Sequence, residues 1–278
     1  GLIERVTPKQ FNSLRGVKNV KVAGVVGNEN LFVHMNYKTP PFDNIDLRKA
    51  IAHAIPYDSI IRDAYFGDAK KWKGIIPSSY TDFHEPSTIY DENLEKAKQL
   101  LAKAGYPDGK GLEQFKDAFH LSYITEKESQ LGPVVTLIKS NLAKIGIDVQ
   151  LDPMPQTQYG DRQLVKKDLP FAVNDQEKPI APDAVYGFLL FFVSQEKGGL
   201  NTMVNYSNAK VDELYAQALI EGDAAKRTAQ AAEVQEILAN EVAWIPVLEW
   251  KTQWAFNDKI KGIKWHPDNS IRWYDLSK

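Results

Sequence analysis

Between Phe119 and Leu151 the spacing of apolar residues changes twice. Phe119, Leu121 and Tyr123 alternate, as they do on one face of a strand. Val134, Leu137, Ile138, Leu142 and Ile145 then recur at helical spacing, and Gly146 follows. Ile147, Val149 and Leu151 alternate again. A strand, a helix and a strand at this length make a βαβ unit, in which a parallel pair is joined by a right-handed crossover. That unit commits the chain to the α/β class, because a parallel pair is stable only with helices on its faces.

The remaining periodicities extend the pattern. Val20 to Val26 and Leu31 to Tyr37 read as strands, the second with Leu31, Val33, Met35 and Tyr37 on one face and Phe32, His34 and Asn36 on the other. Pro40-Pro41 stops it. Asp43 or Asn44 caps a helix whose stripe is Leu47, Ile51 and Ala54, and Pro56 ends that helix. A short helix through Ile60, Ile61 and Ala64 follows, then a loop from Trp72 to Pro86. Asp91 is expected to cap a helix carrying Leu94, Ala97, Leu100, Leu101 and Ala104, with Gly105 as its left-handed end. Further along, Tyr159 to Val165 suggests a short helix, Phe171 to Val173 a strand, and Ala209 to Ile220 and Ala224 to Glu241 two helices. Trp244 to Trp250 and Gln253 to Phe256 read as strands.

Composition removes several classes of function. The net charge of -2 gives no field that favours nucleic acid. Phe188 to Val193, the longest dense apolar run, is far short of the ~18 residues of a membrane span. There is no cysteine, hence no disulfide, thiolate metal site or cysteine nucleophile. The five histidines, His34, His53, His84, His120 and His266, include no pair three or four apart, so no helical metal pair exists. Neither a GxGxxG phosphate cradle nor a Gly-x-Ser-x-Gly elbow occurs. No metal, cofactor or catalytic residue is expected, and the chain reads as a binding protein rather than an enzyme.

The run from Leu31 to Arg62, LFVHMNYKTPPFDNIDLRKAIAHAIPYDSIIR, resembles the bacterial extracellular solute-binding proteins of family 5, the dipeptide, oligopeptide and nickel binders of ABC importers. Asn36, Pro41, Phe42, Asp43, Leu47, Arg48, Lys49 and Ala50 carry the likeness. Three further blocks agree in order: Tyr90 to Tyr106, Leu142 to Val149, and Asn205 to Leu214. The resemblance implies a periplasmic-binding-protein-like lobe, a mixed sheet flanked by helices, plus segments of a second lobe. It divides the chain into residues 1–35 leading to a hinge, a C-terminal α/β lobe at 36–248, and a return segment at 249–278. It further implies capture of a small, peptide-like solute by cleft closure, delivery to the membrane permease of an ABC importer, a monomer, and a periplasmic or extracellular location. Members of the family are longer, and Gly1 opens directly into foldable sequence. The chain is therefore expected to be a mature form or a C-terminal portion.

In peptide-binding members the region matching Phe171 to Val193 carries an aspartate that pairs with the free amine of the ligand. Asp175 fits by its position after the strand, Asp183 by its neighbours Pro182 and Tyr186, and Asp183 is slightly preferred; the alternative is that Asp183 caps the helix from Ala184. The tryptophan that usually precedes this aspartate is missing. His34, Asn36, Glu249 and Trp250 would lie at the crossings between lobes, close to the ligand or within the hinge packing. Pro41, Phe42 and Asp43 read as scaffold, and Arg48 as a structural ion pair or carbonyl clamp.

Overall fold

Two long strands set the frame. In the computed structural model, which describes residues 2–4, 7–175, 181–200, 203–266 and 270–277, β2 (Val20–Met35) lies antiparallel to β7 (Ile245–Asn257) along almost its whole length. Around this pair the described strands make one mixed seven-stranded sheet. Its order is β1-β7-β2-β6-β4-β5, where β1 is Leu2–Glu4, β4 His120–Ile124, β5 Gln150–Met154 and β6 Phe171–Asn174; β3 (Ala69–Lys71) also pairs with β7. Strands β6, β4 and β5 are parallel, and β2 meets β6 antiparallel. The expected βαβ unit is therefore present, with α5 (Glu128–Ala143) between β4 and β5.

Alternation along β2 supplies two cores. Leu31, Val33 and Met35 pack with α2 (Ile45–Ala54), α4 (Leu94–Lys103) and α5 through Leu47, Ile51, Leu101, Val135 and Ile138. Phe32 points to the other face and joins Trp72 and Trp244, its ring centroid 4.0 Å from that of Trp244. That second core is closed by α7 (Ala184–Phe191), α8 (Ala209–Ile220) and α9 (Ala224–Glu241). The remaining α-helices among the described residues are short: α1 (Pro8–Leu14), α3 (Tyr57–Ser59) and α6 (Gln156–Gly160). A smaller cluster of Trp254, Phe256 and Ile271, with Trp265 against it, covers the far end of the β2–β7 ribbon.

The clamp role of Arg48 is present in full. Its Nη1 donates to the carbonyls of Phe42 and Asp43 at 2.8 and 3.1 Å, and Nη2 and Nε donate to that of Glu241 at 2.8 and 3.2 Å. The Glu241 carbonyl ends α9, and Tyr37 Oη donates to it as well, at 2.8 Å. The Glu241 carboxylate accepts from Tyr206 Oη at 2.6 Å and Asn208 Nδ2 at 2.9 Å. One residue thus joins α2, the end of β2 and the capped start of α8. Phe42 is fully buried against Phe119 and Phe171, as scaffold should be.

Several boundaries differ from the sequence expectation. Asn93, not Asp91, caps α4, accepting from Lys96 N at 2.9 Å. The strand expected from Ile147 begins at Gln150. Ile147 and Val149 are buried in the preceding turn, where the Ile147 N–H returns to the Leu142 carbonyl and closes the end of α5. Their alternation therefore serves the helix end and not the ladder. Gly146 allows this turn: at φ +87° a side chain is strained, and a Cβ there would lie 2.1 Å from the Asp108 carbonyl oxygen. The two pairs of strands expected at 20–37 and 244–256 are each one continuous strand. Strands β1 and β3, of three residues each, are too short to have shown a period.

Candidate functional site

In open α/β sheets, ligands bind in crevices beyond the carboxyl ends of the parallel strands. Here β4 and β6 run side by side and end at Ile124 and Asn174. Because β2 is antiparallel to β6, with Phe32 opposite Asn174, the residues just before Phe32 come to that same edge. At that place β2 departs from regular pairing. Val26 faces Lys251 and Asn30 faces Glu249, so Gly27, Asn28 and Glu29 stand opposite Trp250 alone. Such a bulge bends the strand and re-aims its side chains. Gly27 fits because Trp265 lies over it, 2.6 Å from where a Cβ would sit.

The edge carries a connected set of polar groups. Asp175 follows β6 and is buried. Its Oδ1 accepts from Lys127 Nζ at 2.6 Å and its Oδ2 from Gln130 Nε2 at 3.4 Å. Lys127 comes from the turn after β4, and Gln130 from the first turn of α5. Gln130 Nε2 also donates to Tyr65 Oη at 3.3 Å, and the Tyr65 ring stacks on Trp250 with centroids 5.8 Å apart. Burial pushes the Asp175 carboxyl up, the Lys127 ammonium pulls it back, and the Glu29 charge adds to the rise. Beside this set, Glu249 is buried in β7. It accepts from Ser78 N and Ser78 Oγ at 2.6 Å each, with Lys70 Nζ at 3.3 Å. The Oδ1 of Asn30, opposite Glu249, is buried with no hydrogen-bond partner among the described residues.

The seven residues singled out from the sequence separate into three places. Asp175 and Trp250 belong to this cluster, linked through Gln130 and Tyr65, with Glu249 beside them. Asp183 and Tyr186 lie at the start of α7. There Asp183 Oδ1 caps the helix, accepting from Tyr186 N at 3.1 Å, and both its oxygens take Arg227 Nη2 at 2.8 and 2.9 Å. Capping and an ion pair thus account for the hydrogen bonds of the Asp183 carboxylate among the described residues. Asp183→Ala is expected to lower the unfolding free energy by about 1–2 kcal/mol through loss of the cap and a half-exposed ion pair, which urea denaturation measures. His34 and Asn36 are buried in and just after β2. Asn36 is engaged on both sides: Nδ2 donates to the Lys167 carbonyl at 2.9 Å, and Oδ1 accepts from Lys38 N and Asn205 Nδ2 at 3.0 Å each. His34 is 0% exposed, and neither ring nitrogen has a partner among the described residues.

Sequence reasoning missed Lys127, Gln130, Tyr65 and Glu29. Lys127 was accessible in principle, since it stands in the first turn after a strand of the βαβ unit, where the carboxyl-end rule places ligands. Tyr65 was hidden by the π-helical turn Ile60–Ala64, which shifts it out of the helical stripe.

The architecture is that of a periplasmic-binding-protein lobe. The oligopeptide-binding protein AppA of Bacillus subtilis, solved with a nonapeptide, superposes with a TM-score of 0.85 at 19% identity over 100% of this chain and 56% of its own. The DppA protein of Helicobacter pylori, solved with the peptide STSA, gives 0.84 at 23% identity, over 99% and 52%. The family described as bacterial extracellular solute-binding proteins, family 5 Middle, matches residues 1–199, and the chain belongs to that family. Among curated relatives, the glutathione-binding protein GsiB of Escherichia coli K12 is 27% identical over 96% of the chain. The probable D,D-dipeptide-binding periplasmic protein DdpA of the same strain is 24% identical over 93%. The chain spans about half the length of these curated relatives, 51% and 48% respectively.

Proposed function

We propose that this chain supplies one lobe and both crossing strands of an extracytoplasmic solute-binding protein. In this reading the protein captures a small peptide-like solute and presents it to the permease of an ABC importer, as a monomer and without catalysis. The observation that carries the reading is the β2–β7 pair. The two strands pair antiparallel from Val20–Asn257 to Val33–Ile245, with their register broken at the Gly27–Glu29 bulge, beside a polar cluster at the sheet's carboxyl edge. A paired crossing of this kind absorbs a closing rotation in a few residues. Residues 1–35 and 249–278 then belong to the partner lobe and its connections, and residues 36–248 form the lobe described above. Family membership and relatives named for glutathione and D,D-dipeptide binding support a peptide-like solute.

The test is mass spectrometry of small molecules that co-purify with the intact protein, released by denaturation. Peptides or peptide conjugates are expected. Recovery of only a sugar, a lipid or a metal complex would refute the peptide-like reading.

A further inference from the structure

The Asp175–Lys127 pair bears on which polarity of solute group the cluster takes, an inference that rests on the binding role proposed above. Two side chains of opposite charge meet there, and they are unequally accessible: Asp175 is 2% exposed and Lys127 is 29% exposed. The accessible part of the pair is therefore on the Lys127 side chain, with the carboxylate buried. Gln130 fixes the second carboxylate oxygen and is itself tied to Tyr65, which Trp250 covers. A solute ammonium bound to Asp175 Oδ1 would have to displace Lys127, giving up one formed ion pair to make another. A solute oxygen requires no such exchange, because an ammonium has three N–H donors and Asp175 uses one of them here.

We propose that the solute docks at this edge through an oxygen acceptor placed on Lys127, and that the protein does not select for a free amino group. Asp175 and Gln130 are positioning residues that hold the Lys127 ammonium in place. The same arrangement is repeated at the other candidate aspartate, where Arg227 occupies both oxygens of Asp183. Each carboxylate singled out as an amine anchor already holds an internal cation.

The experiment compares a mixed dipeptide library with its N-acetylated counterpart, both titrated against the full-length protein by calorimetry. N-acetylation is expected to change affinity by less than tenfold. In Lys127→Met, which leaves Asp175 open to an external cation, the ratio is expected to move at least tenfold toward the free amine. A free-amine preference of tenfold or more in the unaltered protein overturns the proposal while leaving the peptide-like reading intact. A ratio unmoved by Lys127→Met overturns the role of Lys127. Binding of neither library overturns the peptide-like reading itself. The unaltered protein decides the first point whether or not the variant folds.

Discussion

Arg48→Met is expected to lower the unfolding free energy by about 3–5 kcal/mol. Arg48 is buried, and its guanidinium serves three carbonyls that belong to two separate segments. Methionine replaces the stem and removes every donor. The Phe42 and Asp43 carbonyls then lose their charged partner, and the Glu241 carbonyl keeps only Tyr37. Burying such groups without a partner costs about 1–3 kcal/mol each. The guanidinium also lies 3.9 Å from the centre of the Tyr37 ring, a contact that disappears with it. Arg48→Lys should recover only part of the loss, since one ammonium cannot span the Phe42 and Glu241 carbonyls in the same fork. Urea denaturation of the three proteins at pH 7 measures this. A loss below ~1 kcal/mol for Arg48→Met would show that the clamp is dispensable.

His34→Leu is expected to stabilise the protein, and to do so more strongly in acid. With both ring nitrogens buried and without a partner among the described residues, the imidazole is neutral in the native state, and burial pushes its pKa down to about 3 from 6.5. The sign follows from proton counting. Between pH 6.5 and 3 the unfolded chain holds a proton on His34 that the folded chain does not, so stability falls as pH falls through that window. Above pH 6.5 the titration contributes nothing. Each pH unit within the window costs about 1.4 kcal/mol, hence ~3 kcal/mol at pH 4. Leucine removes that slope. It also relieves two unsatisfied buried nitrogens, which is worth about 1 kcal/mol or more at pH 7. Carboxylates titrate in the same range, but they are common to both proteins and cancel in the difference. Parallel stability curves for the two proteins between pH 7 and 4 would sink the prediction.

What could be read in advance follows the range of the interactions involved. The βαβ unit, α8 and α9 were legible because local period and capping residues define them. Ala209–Ile220 and Ala224–Glu241 fall where Asn208 and Asp223 cap them. The merging of four expected strands into β2 and β7 was not legible, because Gly27–Glu29 and Lys251 interrupt the period locally and only cross-strand pairing carries the strand through. The site divides in the same way. Asp175 was proposed from its place after a strand. Its partners Lys127 and Gln130 lie 48 and 45 residues away, and no local pattern announces a charge pair across a sheet. Asp183 was preferred for its neighbours, yet those neighbours are what make it a cap. Family likeness pointed to the region, and the hydrogen bonds give the two aspartates different internal partners.

The pairing of β2 with β7 also governs the order in which this chain is built. Residues 32–35 find β6 once residue 174 has been made, but residues 20–31 have no ladder partner until the segment 245–257 exists. Some 210 residues separate the end of β2 from the start of β7. At synthesis rates of ~5–20 residues per second, the first half of β2 waits on the order of 10–40 s beside a nascent chain. During that time its unpaired backbone is an open template for wrong strands. Lys18 and Lys21 at its start, with Gly24 and Gly27 along it, make that stretch a poor one to extend. Within these residues β7 therefore completes the ladder that β2 opens, and the pairing of residues 20–31 is timed by the synthesis of residues 245–257.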